Sequence, residues 1–95
     1  MSYRLRFHKL ALQEWNKLDG SVRNQFKKKL EERMENPRLL SARLKGMSDC
    51  YKIKLRGSGF RLVYRVDDKV LFVSVIAVGK REKNRVYKHA KKRHF

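Results

Sequence analysis

The chain has 95 residues, with 26 Lys and Arg against 9 Asp and Glu, for a formal net charge of +17. That length allows one domain, residues 1–95, with a single modest core, and excludes a second. A compact chain so charged repels itself, which makes an acidic partner the simplest reason for it: nucleic acid first, then an acidic protein, then an anionic membrane surface.

In chain order, Tyr3, Leu5 and Phe7 alternate with Arg4, Arg6 and His8, the period of a half-buried strand. Ala11, Trp15 and Leu18 recur at helical spacing, with Trp15 on the apolar stripe as a core anchor. Asp19-Gly20 stops this helix, and Ser21 is the expected N-cap of the next. There Val22, Phe26, Leu30 and Met34 form one apolar stripe. The charged run Lys27, Lys28, Lys29, Glu31, Glu32 and Arg33 reads as a solvated face. Asn36-Pro37 ends the helix, because the residue before proline is pushed out of the α region.

After a connection over residues 37–49 come three strands, near 50–55, 60–66 and 70–78. Gly57-Ser58-Gly59 and Asp67-Asp68 separate them as short hairpin turns. The last strand is apolar at almost every position, so it should be central and covered on both faces. The basic tail, residues 80–95, turns helical from about residue 83. The order predicts an α+β domain: a mostly antiparallel four-stranded sheet, two N-terminal helices and a C-terminal helix.

The glycine turn pairs Leu55 with Phe60, so Lys54 faces Arg61, Ile53 faces Leu62 and Lys52 faces Val63. Opposed residues share a sheet face. One face carries Ile53, Leu55, Phe60, Leu62, Tyr64 and Val66 and covers the core. The other carries Lys52, Lys54, Arg56, Arg61 and Arg65. Continuing through Asp67-Asp68 puts Ser74 opposite Arg61, where a small residue leaves room for the guanidinium. The last strand ends by delivering Lys80 and Arg81 to the same edge. Like charges opposed across strands cost roughly 0.2–1 kcal/mol per pair, so the Lys54–Arg61 pair is not there for stability. A polyanion site explains the cluster; random basic decoration of a solvated face is the alternative.

Other chemistry is poorly represented. Three histidines (His8, His89, His94) and one cysteine show no metal-ligand spacing, so neither metal nor cofactor is expected. Cys50 cannot form an intrachain disulfide and should pack near the core, which fits a reducing compartment. The N-terminus lacks the apolar segment of a signal peptide, and no apolar run is long enough to span a bilayer. A soluble cytoplasmic protein without membrane association is expected.

The segment LKGMSDCYKIKLRGSGFRLVYRV, the following VSVIAVGKRE, the Val86-Tyr87 pair and ALQEWNKL in the first helix together resemble the RelE toxins of bacterial toxin–antitoxin modules. Each motif is weak alone; their order and nearly end-to-end coverage carry the resemblance. It implies a microbial-ribonuclease-like fold and a metal-independent endoribonuclease that enters the ribosomal A site and cleaves mRNA there. It also implies a RelB-like antitoxin that blocks the toxin, and repression of the operon by the pair. The partners it implies are the 70S ribosome with its 16S rRNA, A-site mRNA, and operator DNA through the antitoxin complex.

The family's active site has two lysines on one strand, an arginine on the next, an arginine after the last strand and a C-terminal tyrosine. These match Lys52, Lys54, Arg61, Arg81 and Tyr87, with Arg56, Arg65, Lys80 and Lys83 as candidate RNA- or ribosome-binding residues. The implied reaction is attack of an RNA 2′-hydroxyl on its own 3′-phosphate. Arg61 suits the phosphate, since a guanidinium binds it bidentately, and Lys52 adds charge. Lys54 is the candidate base, because cationic neighbours disfavour its charged form. Arg81 would serve the leaving group. For Tyr87 both base stacking and proton transfer stay open. Two other readings are a ParE-like inhibitor of DNA gyrase and a non-catalytic RNA-binding protein.

Overall fold

In the computed structural model, residues 3–80, 82 and 85–93 are described. Strand β1 spans Arg4–Phe7, helix α1 Lys9–Asn16 and helix α2 Gly20–Glu35. A 3-10 turn at Leu40–Ala42 precedes β2 (Cys50–Lys54), β3 (Phe60–Asp67) and β4 (Phe72–Lys80), and helix α3 covers Arg85–Lys92. The sheet order is β1-β4-β3-β2. Adjacent hairpins make β2–β3 and β3–β4 antiparallel, while β1 lies parallel to β4. The expected α+β architecture is present, with β4 inside the sheet.

Two apolar clusters sandwich this sheet. On one face Ala11, Trp15, Val22, Phe26 and Leu30 pack on Ile53, Leu55, Leu62, Tyr64, Val66, Val73, Val75 and Val78. Trp15 lies 5.2 Å from the Phe7 ring and 6.3 Å from that of Phe26, as a core anchor should. On the other face Val86 and Ala90 of α3 cover Cys50, Val63, Ile76 and Ala77. Strand β4 is apolar throughout because helices press on both its sides. Burial also raises the Cys50 thiol pKa, the inert state of a core cysteine.

Two local expectations need correction. Helix α1 already ends at Asn16, and Asp19, not Ser21, occupies the N-cap of α2. The Asp19 carbonyl accepts the Arg23 N–H at 2.9 Å, and Ser21 Oγ donates to Asp19 Oδ2 at 3.3 Å. Asp19 holds the cap position through its non-helical backbone, φ −57° and ψ 146°, and its side chain makes no capping hydrogen bond.

The β3–β4 connection is also longer than Asp67-Asp68. Asp67 stays in the ladder opposite Phe72, so Asp68 to Leu71 form the turn, with Leu71 left-handed at φ 58°. A bulge at Ile76 then shifts the register once more. Arg61 therefore faces Gly79, and Ser74 faces Arg65. Ser74 instead accepts a 2.7 Å hydrogen bond from Arg6 Nε. A small residue does stand opposite Arg61, but it is Gly79 rather than Ser74.

Candidate active site

The glycine turn sets the centre of the site. Gly59 at φ 76° adopts the left-handed conformation that L side chains resist. Its N–H bonds to the Leu55 carbonyl, and the Leu55 N–H to the Phe60 carbonyl, each at 3.0 Å. The ladder that follows pairs Lys54 with Arg61, Ile53 with Leu62 and Lys52 with Val63, as the sequence predicts.

Arg61 is the unusual member, for its side chain is 8% exposed. Nη1 donates to the Phe60 carbonyl at 3.2 Å, and the buried Nε has no hydrogen-bond partner among the described residues. A guanidinium held under the surface with an unused donor is costly unless a ligand completes it. An anion would do so, and Gly79, opposite in the ladder, sets no side chain of its own beside Arg61.

Lys52, Lys54 and Arg56 line one cleft of 630 Å³ between the outer edge of β2 and α2. Its opposite wall is Gln25, Lys29 and Arg33, of which the sequence pattern assigned Lys29 and Arg33 to a solvated face. Tyr87 is half-buried on α3 and lines a separate groove with Leu44, Met47 and Lys91. It packs on the cluster containing Val63, the residue opposite Lys52.

The remaining candidates are dispersed. Arg65 lines a cavity beside Cys50, Ala90 and Arg93, four residues along β3 from Arg61 and so about 13 Å away. Lys80 pairs with Phe60, its ammonium 5.6 Å from the ring centroid, on the sheet face opposite to that of Arg61. Arg81 and Lys83 lie outside the described residues. No group of three or more His, Cys, Asp or Glu side chains among the described residues could hold a metal ion.

Helix α3, which carries Tyr87, is tied down by a pair that sequence pattern did not reveal. Arg93 donates twice to the Glu14 carboxylate, at 2.7 and 3.0 Å, and once to the Ile76 carbonyl at 2.9 Å. Glu14 also accepts the Val78 N–H at 3.1 Å. Pairing between β1 and β4 stops at Val75, so the carboxylate takes over where the strand ladder ends. Burial works to raise the Glu14 pKa, but the bonds from Arg93 and Val78 outweigh it and the net shift is downward.

A family model described as the ParE toxin of the type II toxin–antitoxin system parDE matches residues 5–85. The chain is 57% identical over 93 residues to the mRNA interferase toxin RelE of Escherichia coli strain K12, covering 98% of each chain. The mRNA interferase RelE of Shigella flexneri matches to the same extent. Among solved structures, a free E. coli RelE toxin with two arginines replaced by alanine superposes over 100% of both chains, with TM-score 0.92 and 55% identity. The intact E. coli RelBE toxin–antitoxin complex matches at TM-score 0.83 and 57% identity, over 85% of this chain and 99% of its own.

Proposed function

The chain belongs to the RelE/ParE family of type II toxins, and on that premise we propose that it is a ribosome-dependent mRNA endoribonuclease. As a single toxin domain over residues 1–95, it cleaves mRNA in the ribosomal A site and stops translation in the cytoplasm. A RelB-like antitoxin holds it inactive, and the pair represses its own operon. Among the described residues no helix is long and apolar enough to cross a membrane. The observation that carries the reading is Arg61, buried directly opposite Lys54 with an Nε that has no hydrogen-bond partner among the described residues.

In the reaction, a 2′-hydroxyl oxygen of the RNA attacks the adjacent 3′-phosphorus and the P–O5′ bond breaks. A 2′,3′-cyclic phosphate and a 5′-hydroxyl result. Lys54 takes the 2′-hydroxyl proton. Arg61 and Lys52 neutralise the charge that grows on the phosphorane oxygens, the effect that preorganised cations deliver best in a partly dry site. Arg81 stabilises the departing 5′-oxygen, which takes up a proton from water to become the 5′-hydroxyl, and Tyr87 orients the neighbouring base. Arg56, Arg65, Lys80 and Lys83 contribute to binding RNA and the ribosome. Weak acids and bases of this kind act slowly on free RNA. Orientation by the ribosome is worth up to ~7–11 kcal/mol and supplies the remainder.

The family model's description keeps the gyrase-inhibitor reading in view. Full-length identity to mRNA interferases and retention of Lys52, Lys54, Arg61, Arg81 and Tyr87 favour the ribonuclease. In vitro translation with mapping of mRNA ends, beside a gyrase supercoiling assay, separates the readings. Codon-spaced cuts with active gyrase are expected. Intact mRNA with blocked supercoiling would favour ParE-like action, and intact mRNA with active gyrase simple RNA binding.

A further inference from the structure

We propose that α2 supplies the second wall of an RNA-binding cleft, in which Lys29 and Arg33 hold a backbone phosphate of the substrate strand next to the scissile one. This rests on the ribonuclease reading and adds residues outside the family's matched set. Gln25, Lys29 and Arg33 are spaced by four, so they share one stripe of α2 beside the buried Val22, Phe26 and Leu30. That stripe faces the edge of β2, and the cleft between them is lined by Lys29, Arg33, Lys52, Lys54 and Arg56. Its other lining residues are Gln25, Leu39, Ser41, Ala42 and Leu55, so among the described residues five cations meet there without a carboxylate.

Arg33 is already set in place. Its Nη1 donates to the Lys52 carbonyl at 3.1 Å and to the Tyr64 hydroxyl at 2.9 Å, and that hydroxyl donates to the Pro37 carbonyl at 2.7 Å. These bonds use one guanidinium nitrogen, leaving Nη2 and Nε for a phosphate, and they fix the fork before a ligand arrives. Protection of an exposed sheet edge by charge would account for lysines on β2. It does not account for cations on the helix facing them. Continuity selects the occupant: Lys54 belongs both to this cleft and to the Arg61 pair, so a strand whose scissile phosphate sits at Arg61 runs into the cleft with its next phosphate.

The test is single-turnover cleavage of A-site mRNA on programmed ribosomes, with toxin concentration varied, for wild type, Lys29→Glu and Lys28→Glu. Lys28 is an exposed neighbour that does not line the cleft, so it makes the same charge change elsewhere. Lys29→Glu should raise the half-saturating toxin concentration about tenfold or more and leave the saturated rate within about twofold. Lys28→Glu should raise it at least threefold less. A second arm replaces one mRNA phosphate beside the scissile position with a neutral methylphosphonate. That change should weaken wild type and add little to Lys29→Ala, because both remove one contact. Equal effects of the two Glu variants, additive effects of methylphosphonate and Lys29→Ala, or a Lys29→Glu defect confined to antitoxin binding would each overturn the proposal. Absence of cleavage by wild type would overturn the ribonuclease reading beneath it, a result distinct from all three.

Discussion

At the scale of single residues, Arg61 is the centre of the proposed chemistry. Its guanidinium is buried, short of one hydrogen bond among the described residues and opposed by Lys54, a cost to the folded protein that a bound phosphate would offset. Arg61→Ala should slow saturated cleavage roughly 10²–10³-fold, the range for losing one preorganised donor. Thermal stability should hold or rise, because repulsion and an unpaired donor vanish together. Arg61→Lys should restore part of the rate, since an ammonium lacks the bidentate fork. Arg65→Ala is the control, about 13 Å along the strand by its rise per residue. It should weaken ribosome association and spare the saturated rate. An Arg65→Ala rate defect matching that of Arg61→Ala would mean that the basic surface acts by bulk charge.

At the scale of elements, the active geometry depends on a turn and a helix. Gly59 holds the hairpin that sets Lys54 against Arg61, and a Cβ there would meet no atom within 4 Å. The cost of Gly59→Ala is therefore backbone strain, about 1–2 kcal/mol, measurable by urea denaturation, with reduced cleavage if the register slips.

Helix α3 depends on the Glu14–Arg93 pair. Glu14→Gln should cost about 1–2 kcal/mol, discounted for partial exposure, and speed amide exchange across residues 86–92. The pH dependence has a definite sign. A carboxylate whose folded pKa is depressed gives its full stabilisation above its ordinary value of 4.5 and loses it as pH falls through the folded pKa. Wild type should thus lose α3 protection in acid below about pH 4.5, and the Gln variant should lack that component. Identical acid profiles for the two proteins would remove Glu14 from the latch.

At the scale of the whole molecule, charge dominates. A net +17 on 95 residues gives long-range attraction to RNA and self-repulsion in the free protein. Ribosome association should weaken steeply between low and physiological salt as phosphate contacts release counterions. An affinity flat across that range would count against the polyanion site. The same charge bears on the antitoxin: between residues 80 and 95 eight Lys and Arg stand against the lone Glu82. An acidic antitoxin segment is expected to dock on the basic surface, on α3, or on both. Crosslinks confined to residues 8–34, with affinity unchanged after deletion of residues 88–95, would contradict this.

Local rules reached far in this chain. Period-two alternation marked β1, the Gly57-Ser58-Gly59 turn set Lys54 opposite Arg61, and the spacing of Val22, Phe26 and Leu30 identified the buried stripe of α2. Each is legible because neighbours along the chain determine it: a tight turn defines its register, and a helix its face. Tertiary structure decided what distant segments do to one another. It laid β1 parallel to β4, moved Ser74 from Arg61 to Arg65 through a four-residue turn and a bulge, and brought Glu14 to Arg93. It also turned Lys29 and Arg33 from apparent surface decoration into a wall facing Lys52 and Lys54. No periodicity encodes such meetings, because they depend on how the sheet twists and where a helix lands on it, and packing of the whole core settles both.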